Sequence, residues 1–219
     1  MERVFIFIDG SNFYHALKEE IGRTDIDFLK FALKLCGNRR LIGVNYYNAP
    51  LKKEFNPEQY KEQQRFFNYI RNLPGYTLKL GHLELRKVEL MKGTVILEDL
   101  KGHIYFVGPV DKVNKILKKD EAKSITNLRY LVEKGVDIMI ATDMLSFAYN
   151  NIYDTGVLVS GDGDFAYVVE KIKLLRKRME VAFFPERKCW HLRQVSDKFI
   201  SLDNNFFVFL NDDKREHKR

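Results

Sequence analysis

Cysteine is scarce. Cys36 and Cys189 are the only two, far apart and outside any CxxC pair, so no disulfide framework or zinc site is readable. Long apolar runs are missing too. None reaches the ~18 residues of a membrane helix, so no membrane partner is expected. There is no Gly-x-x-x-x-Gly-Lys-Ser/Thr loop, which argues against an ordinary nucleotide triphosphatase. No Ser-His-Asp or Cys-His arrangement is evident, and neither is an internal repeat or low-complexity tract. Met1-Glu2-Arg3 leads straight into a strand without a signal-peptide pattern, so a reducing, cytoplasmic setting is expected.

What is present is basic charge. The 219 residues carry a formal net charge of +7 and a pI near 9.2. Such a balance favours an anionic partner, nucleic acid being the commonest. Hydrophobic residues make up 45% of the chain and aromatics 13%, enough for the core of one large domain. Two cysteines and two acidic turns then dominate what can be said about chemistry, and only the turns are informative.

The chain is organised around Val157-Leu158-Val159-Ser160-Gly161-Asp162-Gly163-Asp164-Phe165. Three apolar residues read as a fully buried strand. The glycines allow a sharp turn that carries two carboxylates at the strand's end. Helical spacing of Val168, Val169, Ile172 and Leu175 follows, predicting a helix to about 178. Val4 to Ile8 is a second unbroken apolar run, as in a central parallel strand covered on both faces, and it also ends in an acid and a glycine, Asp9-Gly10-Ser11-Asn12. Capping a helix explains one aspartate per turn. It does not explain two separated by one glycine.

Other elements follow in order. Helices are expected from about 12 to 20, after an Asp27 cap, and over 57–73, with strands at 41–47 and 76–83. Residues 84–120 break the alternation and read as an inserted β-hairpin (95–97 and 104–107) with a basic segment. A helix at about 122–134, another over 138–149, a strand at 180–184, a helical turn at 191–196 and a short edge strand at 199–200 complete the pattern. The expectation is a single α/β domain over 1–205, a Rossmann-like α/β/α fold with a mainly parallel central sheet and a small β insertion. Residues 206–219 would form a charged, disordered tail.

In an open parallel sheet the carboxyl ends of strands share one edge, where ligands bind. Asp9 should therefore meet Asp162 and Asp164, and the helical segment carrying Asp137 and Asp143 should reach the same rim. Carboxylates so gathered repel one another unless protonated or bridged by a cation. All-oxygen donors favour Mg²⁺ or Mn²⁺. Such a site suits phosphodiester hydrolysis, because a divalent ion acidifies water and neutralises charge developing on phosphate.

These residues resemble a known family. Phe7-Ile8-Asp9-Gly10-Ser11-Asn12, then Lys134-Gly135-Val136-Asp137 with Asp143, then Leu158 to Phe165, look like the NYN domain in its LabA-like branch, part of the PIN-like nuclease superfamily. The resemblance spans roughly residues 3–203. It implies a PIN-like fold and a Mg²⁺/Mn²⁺-dependent endoribonuclease. By the resemblance Asp9, Asp137, Asp162 and Asp164 would hold metal. Asn12 would support the site or touch the scissile phosphate, and Asp143 matches a helical aspartate of the pattern. Ser160 would orient Asp162 or Asn12.

Substrate-binding candidates are Lys118 and Lys119 of the basic segment and the Lys188, Trp190, Arg193 cluster, where an aromatic among bases suits stacking on a single strand. A lone Trp is more often core. RNA, single-stranded or structured, is the expected partner, and a homodimer is left open. Two alternatives compete with a ribonuclease. One is a non-catalytic RNA-binding or regulatory module. The other is a haloacid-dehalogenase-like phosphatase, which needs a second aspartate where Ser11 stands.

Overall fold

A computed structural model describes residues 1–87, 95–98, 104–108, 129–185 and 189–208. Contacts divide the chain into two compact units, Met1–His82 with Glu133–Arg219, and Leu83–Val132.

The first unit is built on a six-stranded sheet. Its strands are β1 (Arg3–Asp9), β2 (Arg40–Asn48), β3 (Tyr76–Leu80), β8 (Thr155–Val159), β9 (Arg178–Phe183) and β10 (Lys198–Ser201). Their order is β10-β9-β8-β1-β2-β3, and every neighbouring pair runs parallel. The chain leaves β1 toward β2 and later returns on β1's other side with β8. The crevice between β1 and β8 is thus the topological switch point of the sheet.

Helices cover both faces. On one lie α1 (Gly10–Glu20), α2 (Phe28–Cys36) and α3 (Pro57–Asn72), and on the other α4 (Val136–Tyr149) with α5 (Ala166–Leu174) beside it. The alternation of β1 shows why no polar residue interrupts it. Val4, Ile6 and Ile8 join Phe13, Phe31 and Ile70 in one core cluster. Phe5 and Phe7 point the other way, onto Phe147 of α4 at 5.0 and 6.0 Å between ring centroids. Each such aliphatic side chain contributes about 1.5–3 kcal/mol by burial. Caps fix where helices begin: Asp27 Oδ1 accepts from Lys30 N–H at 3.0 Å, and Asn56 Oδ1 from Gln59 N–H at 3.0 Å, with Pro57 in the first turn.

The second unit contains an antiparallel pair, β5 (Val95–Glu98) with β6 (Ile104–Gly108). β4 (His82–Lys87) pairs with β7 (Arg129–Lys134) in another two-stranded sheet.

Several expectations need correction. The strand expected over 76–83 breaks at Gly81, so that β3 and β4 belong to different sheets. The C-terminal part of the helix expected at 122–134 is the strand β7, where Tyr130, Leu131 and Val132 suit extended pairing. Residues 122–128 lie outside the described residues. The helix after the acidic turn stops at Leu174, because Arg176 takes a left-handed backbone (φ 58°) before β9. Residues 206–208, expected in the tail, belong instead to a short helix, Asn204–Val208, whose Phe207 is buried against Phe31 and Phe184. Residues 209–219 lie outside the described residues.

Candidate functional site

The carboxyl edge of the sheet at the switch point opens into a cavity of about 480 Å³. Its wall includes Asp9, Ser11, Asn12, His15, Glu133, Asp137, Gly161, Asp162 and Phe183. Asp9 arrives from the last position of β1, and Asp162 from the turn after β8. Asp137 stands in the first turn of α4, and Glu133 lies at the end of β7.

Asp9 is the buried centre, 4% exposed. Its Oδ1 caps α1 by accepting from Asn12 N–H at 3.2 Å, and its Oδ2 accepts from Ser160 O–H at 2.9 Å. Ser160 Oγ in turn accepts from Asp162 N–H at 3.1 Å. Asn12 Oδ1 accepts from Gly161 N–H at 3.0 Å. The two acidic turns, some 150 residues apart in sequence, are therefore laced together by Ser160 and Asn12. Asp162 Oδ1 caps the short 3-10 turn Gly163–Phe165, accepting from Asp164 N–H at 2.9 Å.

Close approach dictates the glycines. A Cβ on Gly161 would sit 2.2 Å from the Phe183 ring, and one on Gly10 would sit 2.4 Å from the Tyr46 ring and 2.5 Å from the Tyr47 carbonyl. Larger residues at either place would push the acidic turns off the sheet edge.

Electrostatics record the crowding. Burial pushes the Asp9 carboxyl up to about 6 against the bonds from Asn12 and Ser160, and the charges of Asp137 and Asp162 add to it. Burial likewise pushes Glu133 up to about 7, helped by Asp9 and Asp137. Asp137 is raised by desolvation and then by Asp162 and Asp164. No cationic side chain pairs with any of these carboxyls among the described residues.

Asp9 and Asp162 from strand ends, with Asn12 and Asp137 from the first turns of α1 and α4, thus share one wall. Asp164 is exposed at the rim beyond the cavity wall, linked to Asp162 through its backbone. Asp143 is a correction. Six residues beyond Asp137 on α4, it is turned away from the cavity and accepts from Tyr47 O–H at 2.8 Å and Asn45 Nδ2 at 3.2 Å, with Lys79 Nζ at 3.9 Å. It satisfies buried polar groups of β2. Ser160 bonds the Asp9 carboxylate and the Asp162 backbone, and not the Asn12 side chain. Arg193 packs on its own domain, bonding the Pro185 carbonyl at 3.2 Å with its guanidinium 4.1 Å over the Phe199 ring. Trp190 is 63% exposed and so is no core residue. Lys118, Lys119 and Lys188 lie outside the described residues.

Glu133 and His15 were missed. Glu133 was hidden by reading its strand as a helix end; as a strand it places an acid at its carboxyl end, the same signal that marks Asp9. His15 lies one helical turn beyond Ser11 on α1, which spacing alone could have placed at the cavity.

The donor set fits a hard divalent cation: oxygen ligands only, mutually repelling, with one carboxylate buried and held from behind by two hydrogen bonds. Among the described residues no three acidic, histidine or cysteine side chains are already closed into a coordination shell.

The NYN domain family model matches residues 101–203, a stretch that includes Asp137, Asp162 and Asp164 while Asp9 joins them only through the sheet. The Low amplitude and bright protein LabA of Synechococcus elongatus is 32% identical over 90 residues, which cover 41% of this chain and 47% of LabA. The match thus spans about half of that relative's length. A protein of unknown function from Vibrio parahaemolyticus, solved by crystallography, shares the fold with a TM-score of 0.59 at 21% identity, covering 94% of this chain and 95% of that one. NYN domains are a PIN-like nuclease family whose members generally use divalent metals and act on nucleic acids. Residues 101–203 thus resemble an NYN domain, and the chain is similar to LabA, which together support an NYN-domain, LabA-like reading.

Proposed function

We propose that the chain is a Mg²⁺- or Mn²⁺-dependent endoribonuclease that hydrolyses RNA at the acidic cavity. The observation that carries this reading is the convergence of Asp9, Glu133, Asp137 and Asp162 on one wall at the switch point of a parallel sheet. A net charge of +7 supports it, since charge outside the cavity must be more positive still and attracts a phosphate backbone.

Asp9, Asp137 and Asp162 would hold the cation, with Asp164 approaching from the rim. The cation, when bound, supplies Lewis acidity toward water and the phosphoryl oxygens. The chain's own residues do the rest. Ser160 and the Asn12 backbone fix the Asp9 carboxylate, so no reorganisation is needed when charge develops. Asn12 lines the wall beside Asp9 with its Oδ1 held by Gly161, which leaves its amide nitrogen to donate to a phosphate oxygen. Glu133, raised by burial and then by Asp9 and Asp137 in the metal-free cavity, would be the group to exchange a proton with the attacking water.

The test incubates labelled single-stranded RNA and DNA with the protein in Mg²⁺, Mn²⁺ or EDTA, beside Asp162→Asn. RNA should be cut internally with either metal, and neither EDTA nor the variant should allow it. Equal cleavage by Asp162→Asn would refute the reading. RNA binding without cleavage under both metals would leave a non-catalytic RNA-binding module.

A further inference from the structure

Two aromatic–imidazole pairs lie near the acids, one with its imidazole in the cavity wall and one against the acidic turn. On α1, Tyr14 and His15 lie with ring centroids 5.5 Å apart at 80°, and His15 itself lines the cavity while Tyr14 is 44% exposed. On α6 (Trp190–Val195), Trp190 and His191 lie 5.1 Å apart at 57°. That second pair abuts the acidic turn, for a Cβ placed on Gly163 would lie 3.7 Å from His191 Nδ1. Both α6 aromatics are exposed, yet the helix beneath them is fixed: Cys189 and Leu192 are buried, and Arg193 is pinned by the Pro185 carbonyl and the Phe199 ring. An indole held outward on an anchored helix, with a large apolar face exposed, packs into no core among the described residues.

We infer that Tyr14–His15 and Trp190–His191 are base-stacking platforms beside the acids. Each receives one unpaired nucleobase of a strand whose scissile phosphate lies over Asp9 and Asp162. The inference rests on the nucleic-acid reading of the cavity. Every base offers a π-face, so such platforms accept unpaired bases with little sequence preference and exclude bases locked in a duplex. In each pair the imidazole is the member next to the acids, His15 in the cavity wall and His191 beside Gly163 of the acidic turn. The arrangement makes the strand's single-stranded state, and not its sequence, the property selected.

Because Trp190 is the sole tryptophan, intrinsic fluorescence reports this platform alone. The full chain is titrated in EDTA with a short single-stranded RNA and with the same sequence as a duplex. Affinities of wild type, Trp190→Ala, Trp190→Phe and Tyr14→Ala are measured by anisotropy of labelled RNA, and cleavage with Mn²⁺ is followed in parallel. The single strand should quench Trp190 saturably and the duplex should not. Each alanine variant should bind about 5- to 150-fold more weakly, with Trp190→Phe recovering most of the loss. Unchanged fluorescence together with wild-type affinity of Trp190→Ala would overturn the platforms, and cleavage in that case would leave the nuclease reading standing. Quenching without cleavage would support the platforms and sink the nuclease. Absence of RNA binding in every measurement would overturn both.

Discussion

Replacing Asp9 by asparagine should stabilise the metal-free protein at alkaline pH and stop doing so in mild acid. The carboxyl is 4% exposed and has moved from the ordinary 3.8 to about 6, chiefly by burial. The folded state therefore holds a proton that the unfolded chain has released between those values. Stability from this group is complete below the unfolded value and falls as pH rises through the folded one. A gap of that size is worth ~3 kcal/mol at pH 8. Asparagine removes this penalty and caps a helix about as well as aspartate. It weakens the bond to Ser160, whose hydroxyl already accepts from Asp162 N–H, and a lost charge-assisted bond costs about 1.5 kcal/mol. The net gain at pH 8 is then ~1–2 kcal/mol, and near pH 5 it should vanish or reverse. Glu133, raised to about 7, tilts wild-type stability the same way over a slightly higher range. Asp154 works in the opposite sense. Arg3 holds it at about 2, so its contribution is present above 3.8 and fades only as pH falls toward 2, outside the range compared. Urea unfolding by circular dichroism in EDTA at pH 5, 6, 7 and 8 measures the difference. An Asp9→Asn protein that is less stable at pH 8, or equally shifted at every pH, would show that Asp9 is a structural residue and not a destabilised ligand.

Adding Mn²⁺ at 100 times its dissociation constant should raise wild-type stability by ~2.7 kcal/mol, an effect that EDTA reverses and Asp9→Asn largely loses; equal gains in both proteins would place the ion elsewhere. Ser160→Ala leaves a buried carboxylate oxygen and the Asp162 N–H without their partner, and should cost ~1–3 kcal/mol in urea unfolding. Asp143→Ala should cost a similar ~1–3 kcal/mol by leaving the Tyr47 hydroxyl without its acceptor, Asn45 keeping its bond to the Tyr47 oxygen, yet leave RNA cleavage per folded molecule near wild type. Gly161→Ala forces a methyl to within 2.2 Å of the Phe183 ring. It should lose ~1–3 kcal/mol by overpacking along with cleavage, and Phe183→Leu in the same chain should restore part of both.

The parallel core was legible because β1 and β8 carry unbroken apolar runs at Val4–Ile8 and Val157–Val159, as strands buried on both faces do. The acids were legible for a related reason: a carboxylate and a glycine directly after such a run stand at the sheet's carboxyl edge whatever the topology. That rule placed Asp9 and Asp162 correctly, and would have placed Glu133 had β7 been read as a strand. Sequence could not separate Asp137 from Asp143. Both lie on one helix after one glycine, and the difference is which side of α4 faces the cavity and which faces the polar side chains of β2. Nor could it show that Trp190 is exposed, since burial of a lone aromatic depends on what packs over it. Local sequence determined most of the strands and helices, β7 and the break at Gly81 excepted, because backbone propensity and apolar periodicity act over a few residues. Strand order decided the site: only when β8 pairs with β1 does Ser160 reach Asp9 across 151 positions, and hydrogen bonding of that range has no signature in either segment alone.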